Sequence, residues 1–170
     1  MTSSSLQFVS GSPAQTVAVG SSLANWLREG DVLLLHGDLG AGKTTLAKGI
    51  ARALGIEAVV SSPSFSLVNE YDTGLEAPVR RLYHLDLYRL QGEDDLASIG
   101  FDDFVGPPNG ATIVEWPERA AALLPDRYVL VEIESTGAET RRLRFIPVPD
   151  DGSWNDRFTS LNTSIEAAIS

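Results

Sequence analysis

A strand, a glycine-rich turn and a helix follow one another between Asp31 and Gly55, and this stretch constrains the fold more than any other. Gly37-Asp38-Leu39-Gly40-Ala41-Gly42-Lys43-Thr44 fits the phosphate-binding pattern G-x-x-x-x-G-K-[ST]. Before it, Asp31-Val32-Leu33-Leu34-Leu35 is a short apolar run of the kind a buried strand needs. After it, Leu46, Ile50 and Leu54 recur at helical spacing, and Gly55 supplies a stop. The competing reading is a Gly-rich turn with a chance lysine, and the agreement of the flanking elements weighs against it.

The residue types follow from the chemistry of binding a phosphate chain. Gly37, Gly40 and Gly42 let backbone N–H groups turn inward around an anion, because glycine tolerates positive φ and has no side chain in the way. The helix that follows aims its positive N-terminal end at the same anion. The loop residues Asp38, Leu39, Gly40, Ala41 and Gly42 are therefore candidate phosphate binders. Lys43 can reach the β- and γ-phosphates, the Thr44 hydroxyl can ligate Mg²⁺, and Thr45 can donate to an inner phosphate.

Two acids stand at the ends of apolar, strand-like runs. Asp86 lies near the end of the apolar run Val79 to Tyr88, flanked by Leu85 and Leu87. An acid at the end of a strand beside the P-loop commonly holds Mg²⁺ in enzymes of this kind. Glu115 is the second, ending the compact run Ala111 to Val114, with Trp116 and Pro117 after it. Asp86 could also be an ordinary strand-end carboxylate. His36 and His84 read as packed or surface histidines, since no metal-ligand spacing surrounds them. Ser62, Ser64 and Ser66 lie in a hydroxyl-rich loop that is either a plain turn or a switch segment meeting a γ-phosphate.

The rest of the chain supplies a framework. Ser12-Pro13-Ala14-Gln15 reads as a helix start, with Val17, Leu23, Ala24 and Leu27 on its apolar face and Gly20 weakening it. Val59-Val60 and Leu67-Val68 look strand-like. Glu93 to Gly100 suggests a short helix, Pro117 opens another through Leu124, and Arg127 to Glu134 with Arg141 to Val148 reads as a hairpin. Asp103-Phe104-Val105-Gly106 matches the D-x-x-G letters of GTPases but lacks a preceding apolar strand, and no N-K-x-D motif occurs. Residues 1–7 are expected to form a disordered N-terminus, although Leu6 to Val9 could make a short strand. Residues 8–149 are expected to form the P-loop domain, and 150–170 a C-terminal tail without assigned role, with a weak helix from Ser160.

A chain of 170 residues suits one domain with a respectable core. No apolar run approaches the ~20 residues of a membrane span, and no signal peptide is evident, so a cytoplasmic protein is expected. The absence of cysteine excludes disulfides and thiolate metal sites. A net charge of −10 argues against direct nucleic-acid binding. The clusters Arg80-Arg81 and Arg141-Arg142 with Arg144 read as solvated strand faces, so any RNA is expected to be held mainly by a partner.

Four motifs occur in one order: the loop Gly37 to Thr45, Ser62-Pro63-Ser64-Phe65-Ser66-Leu67-Val68-Asn69-Glu70-Tyr71, His84-Leu85-Asp86-Leu87-Tyr88-Arg89, and Ile113-Val114-Glu115-Trp116-Pro117-Glu118-Arg119. Together they resemble the TsaE (YjeE) family, small bacterial P-loop ATPases of the tRNA threonylcarbamoyladenosine modification. The resemblance implies an α/β fold of the P-loop NTPase type, three-layered, with a mostly parallel central sheet and added antiparallel strands. It implies ATP or ADP and Mg²⁺ as ligands, weak ATPase activity alone, and a complex with TsaB and the transferase TsaD. It further implies that Asp86 holds Mg²⁺, that Glu115 sits beside the metal and the attacking water, that Trp116 lies near the nucleotide, and that Ser62 to Ser66 is the switch loop. The family usually has threonines where Ser64 and Ser66 stand, and the hydroxyls survive here.

The expected reaction is ATP hydrolysis by positioning and electrostatics, with Lys43, Asp86 and Glu115 as the catalytic set. Two other classes compete with it. A small-molecule or nucleotide kinase would need an acceptor pocket and a closing lid, and no long insertion offers one. A nucleotide-dependent switch without turnover would bind ATP and never hydrolyse it.

Overall fold

The apolar run ahead of the glycine-rich loop becomes a central strand because both of its faces are buried. Leu33 and Leu35 enter one hydrophobic cluster, and Val32 and Leu34 enter another on the opposite side. The computed structural model describes residues 4–57, 68–90, 93–98, 100–106 and 109–170. In chain order the elements are β1 (Leu6–Ser10), α1 (Pro13–Trp26), β2 (Val32–His36), α2 (Lys43–Ala53), β3 (Val68–Asp72), β4 (Arg81–Asp86), α3 (Glu93–Ser98) and α4 (Phe101–Phe104). They continue as β5 (Gly110–Glu115), a 3₁₀ segment (Pro117–Leu123), β6 (Tyr128–Ser135), β7 (Arg141–Val148) and α5 (Asn155–Ile169).

The strands form one sheet in the order β1-β7-β6-β2-β5-β4-β3. The four inner strands, β6-β2-β5-β4, are parallel, and β1, β7 and β3 add antiparallel edges. This is the expected parallel-centred α/β sheet with antiparallel additions. Residues of α1, α2 and α5 pack into the cluster on one face, while Leu96 of α3, Phe101 of α4 and Ala120 of the 3₁₀ segment close the other. Parallel strands covered on both faces read as near-continuous apolar runs, as β2 and β5 do.

Several local expectations hold in detail. The Ser12 hydroxyl accepts the Gln15 N–H at 3.2 Å, and the Gln15 amide oxygen accepts the Gly11 N–H at 2.7 Å. Gly55 adopts a left-handed φ of 78° just past α2. The alternation in β6 sends Val129, Val131 and Ile133 inward.

Three expectations change. Leu6 and Gln7 do not belong to a disordered terminus; they open β1, which pairs with β7 and seats Phe8 edge-on against Phe145. Residues 150–170 are not a detached tail. Helix α5 starts at Asn155 rather than near Ser160 and buries Phe158, Leu161 and Ile165 in the same cluster as α1 and α2. Arg157 anchors its start through a two-pronged ion pair with Asp31, at 3.0 and 2.6 Å, beneath Trp26 and Trp154. Gly20 is more than a weak point of α1. A Cβ there would stand 2.7 Å from the Leu46 carbonyl oxygen, and one on Gly49 would stand 2.5 Å from that of Val17. The two glycines let α1 and α2 cross with their backbones nearly touching.

Candidate functional site

Because β2, β4 and β5 run parallel, their C-terminal ends reach one edge of the sheet together. Leu35 is paired in register with Glu115, and Glu115 with Asp86. The crevice outside the carboxyl ends of such strands is where α/β sheets take ligands. A cleft of about 300 Å³ opens there, lined by Leu39, Gly40, Gly42, Lys43, Thr44, Thr45, Asp86, Tyr88, Glu115 and Trp116. A larger hollow of about 690 Å³ lies on the other side of the same loop, against β6 and β7, but contains neither Lys43 nor the two strand-end acids.

The glycine-rich loop carries β2 into α2. Gly40 and Gly42 have φ of 79° and 110°, which the left-handed turn requires, and Gly42 caps α2. The Ala41 N–H closes the loop on the Asp38 carbonyl at 3.0 Å. Of the eight expected phosphate binders between Asp38 and Thr45, all but Asp38 and Ala41 line the cleft. Ala41 is buried, and Asp38 lines the larger hollow.

Lys43 is buried, 5% exposed. Its ammonium donates to the Gly37 carbonyl at 2.5 Å and lies 3.6 Å from the centroid of the Trp116 ring. Burial holds this ammonium below the ordinary lysine range, against the opposing pull of Glu115, Glu118, Asp86 and Asp38. Trp116 stands at φ 60°, ψ 51°, a left-handed backbone that costs a non-glycine residue about 1–3 kcal/mol. Its ring also leans on Tyr88, with centroids 4.9 Å apart.

Asp86 and Glu115 are 3% and 2% exposed. An Asp86 oxygen accepts the Tyr88 N–H at 3.0 Å. One Glu115 oxygen faces the Thr44 hydroxyl at 3.4 Å, and the other receives His84 Nε2 at 2.5 Å. His84 is itself 1% exposed, and its Nδ1 has no partner among the described residues. Sequence reasoning left His84 as an ordinary histidine. The signal it passed over is the i, i+2 spacing of His84 and Asp86, which puts both on one face of β4. His36, by contrast, is half exposed and sits 3.8 Å from Glu118.

Among the described residues no cluster of three or more acidic, histidine or cysteine side chains forms a cage for a cation. Mg²⁺ is commonly held by one or two carboxylates, a hydroxyl and a ligand's own phosphates, without an all-protein cage. Thr44 and Asp86 in one cleft with the glycine-rich loop could form such a donor set, with Glu115 beside the place a metal would take.

The remaining sequence candidates fall elsewhere. Ser62, Ser64 and Ser66, and the expected strand Val59-Val60, lie outside the described residues. Arg89 and Arg119 do not line the cleft. Asp103 to Gly106 falls in α4 and the turn after it, away from the cleft. The basic clusters are largely neutralised across strands: Arg81 by Glu70 and Asp72, Arg142 by Glu134, Arg144 by Glu132. Arg141 differs, since it reaches the glycine-rich loop, where its Nε–H donates to the Ala41 carbonyl at 2.8 Å.

Known proteins share much of this sequence and its fold. A family model described as threonylcarbamoyl adenosine biosynthesis protein TsaE matches residues 10–143. The chain is similar to the tRNA threonylcarbamoyladenosine biosynthesis protein TsaE of Bacillus subtilis, 39% identical over 136 residues, covering 80% of this chain and 82% of that one. The protein of the same name from Synechocystis is 42% identical over 137 residues, 72% of this chain and 77% of its own. The crystal structure of Bacillus subtilis YdiB shares the fold at a TM-score of 0.75 and 30% identity, covering 98% of this chain and 97% of that one.

Proposed function

The chain belongs to the TsaE family of threonylcarbamoyl adenosine biosynthesis proteins, and on that footing we propose that it is a Mg²⁺-dependent ATPase that cycles a TsaB–TsaD transferase complex as tRNA adenosine is modified. The observation that carries the reading is the meeting of Lys43, Thr44, Asp86 and Glu115 in one cleft at the N-terminus of α2.

The position of each residue supports a role for it. The loop amides and Lys43 bind the phosphate chain, and Lys43 leaves its stack on Trp116 to do so. Thr44 and Asp86 would hold Mg²⁺, which would supply positive charge to the phosphoryl-transfer chemistry. Glu115, fixed by Thr44 on one oxygen and His84 on the other, orients or deprotonates the attacking water. Trp116 flanks the phosphates. No arginine lines the cleft among the described residues, so the isolated chain turns over slowly and the partner complex supplies the missing cation or ordering.

ATP hydrolysis drives a conformational cycle of the complex and does not perform the carbamoyl transfer. The partners carry the tRNA, since the chain has a net charge of −10 and its strand arginines are mostly paired with acids. No helix among the described residues is long and apolar enough to cross a membrane. The test is phosphate release from Mg–ATP by the chain alone and with the TsaB–TsaD complex. Release that rises with the complex supports the reading. Phosphorylation of a metabolite in place of water would replace it with a kinase.

A further inference from the structure

We propose that Arg141 is a positioning residue for the nucleotide, holding the phosphate-binding loop in its anion-ready form from behind. The inference rests on the ATP-binding reading above and adds to it a residue from β7, far along the chain from the loop.

Arg141 opens β7 and is pinned on both sides, paired with Ser10 of β1 and Ser135 of β6. Its side chain therefore leaves a fixed point of the sheet. Nε donates to the Ala41 carbonyl at 2.8 Å, and one terminal nitrogen to the Gly40 carbonyl at 3.4 Å. The other terminal nitrogen donates to the carbonyls of Gly137 and Thr140, at 3.1 and 2.8 Å. One guanidinium thus ties two loop peptides to the β6–β7 turn.

A trans peptide points its C=O and N–H in opposite directions. Drawing the Ala41 carbonyl toward Arg141 turns the N–H of Gly42 the other way. Gly42 is the cap of α2, where the first N–H groups have no partner within the helix and serve as anion donors. Its φ of 110° is held with the Arg141 side chain packed beside it, 3.7 Å from where a Cβ would sit. Every bond that the guanidinium makes among the described residues goes to a carbonyl. Its charge therefore stays uncancelled by a direct carboxylate partner and adds to the field at the phosphate site. A lysine offers a point charge on a flexible stem and cannot bridge the loop and the turn with a planar fork.

The experiment is an equilibrium titration with ADP of the parent chain, Arg141→Ala and Arg141→Lys, with melting temperatures measured alongside. Arg141→Ala is expected to bind ADP about tenfold more weakly. Arg141→Lys should recover only part of that loss, and free methylguanidinium should restore affinity to Arg141→Ala alone. Parental affinity in Arg141→Ala, or full recovery in Arg141→Lys, would overturn the positioning role. The parent also carries the test without substitution: the Nε–H resonance of Arg141 should shift as ADP saturates the site, and an unmoved signal at saturation counts against the proposal. A parent that binds no ADP defeats the ATP reading itself, and the proposal with it, a result distinct from a parent that binds and a variant that binds as well.

Discussion

His84 and Glu115 meet at 2.5 Å inside the sheet, where neither side chain is more than 2% exposed. Neighbouring parallel strands β4 and β5 bring them together, so the contact is built into the sheet and does not depend on a loop. A carboxylate held by a buried imidazole keeps one orientation, which is what a group acting on water needs. His84→Ala is therefore expected to slow hydrolysis by about 10–100-fold while leaving Mg–ATP affinity nearly unchanged. His84→Gln, which retains a donor, should recover part of the rate. Equal loss of binding and rate in both variants would make His84 a plain core residue.

Lys43→Ala should abolish measurable turnover and weaken ADP binding by tenfold or more, with the fold retained. The ammonium is poised on Trp116 and the Gly37 carbonyl in a cleft otherwise rich in acids. Parental hydrolysis by the purified variant would remove the loop from the site.

Trp116 reports on the same event. Nucleotide that draws Lys43 away from the indole should change tryptophan fluorescence. Trp26 and Trp154 stack on each other beside Arg157, on the far face of the sheet, and should contribute little. A Trp116→Phe variant that kept the full signal would contradict the assignment.

Gly49→Ala should cost stability although alanine favours helix. The added methyl would stand 2.5 Å from the Val17 carbonyl oxygen, so α1 and α2 must move apart. Overpacking of this kind costs about 1–3 kcal/mol, readable as a lower midpoint in chemical denaturation. An unchanged midpoint would mean that the crossing is loose.

Local spacing carried much of the fold and site. The loop, its flanking strand and helix, and the acids Asp86 and Glu115 announce themselves because each depends on near neighbours in the chain. What stayed hidden depends on distant ones. The roles of His84, Arg141 and Gly20 exist only because β4 lies beside β5, β7 reaches behind the loop, and α1 crosses α2. The apolar face of α5 was missed because Phe158, Leu161 and Ile165 are spaced among polar residues and gain meaning only against α1.

The central claim is that Asp86 and Glu115 divide the work of Mg–ATP hydrolysis and that the partner complex accelerates it. Steady-state phosphate release for the parent, Asp86→Asn and Glu115→Gln, with and without TsaB–TsaD and paired with Mg–ATP titrations, tests it most directly. The account predicts slow release by the parent alone and clear stimulation by the complex. It predicts weaker Mg–ATP binding in Asp86→Asn, and near-parental binding with strongly reduced release in Glu115→Gln. Identical binding defects in the two variants, or a parent that the complex leaves unstimulated, would contradict it.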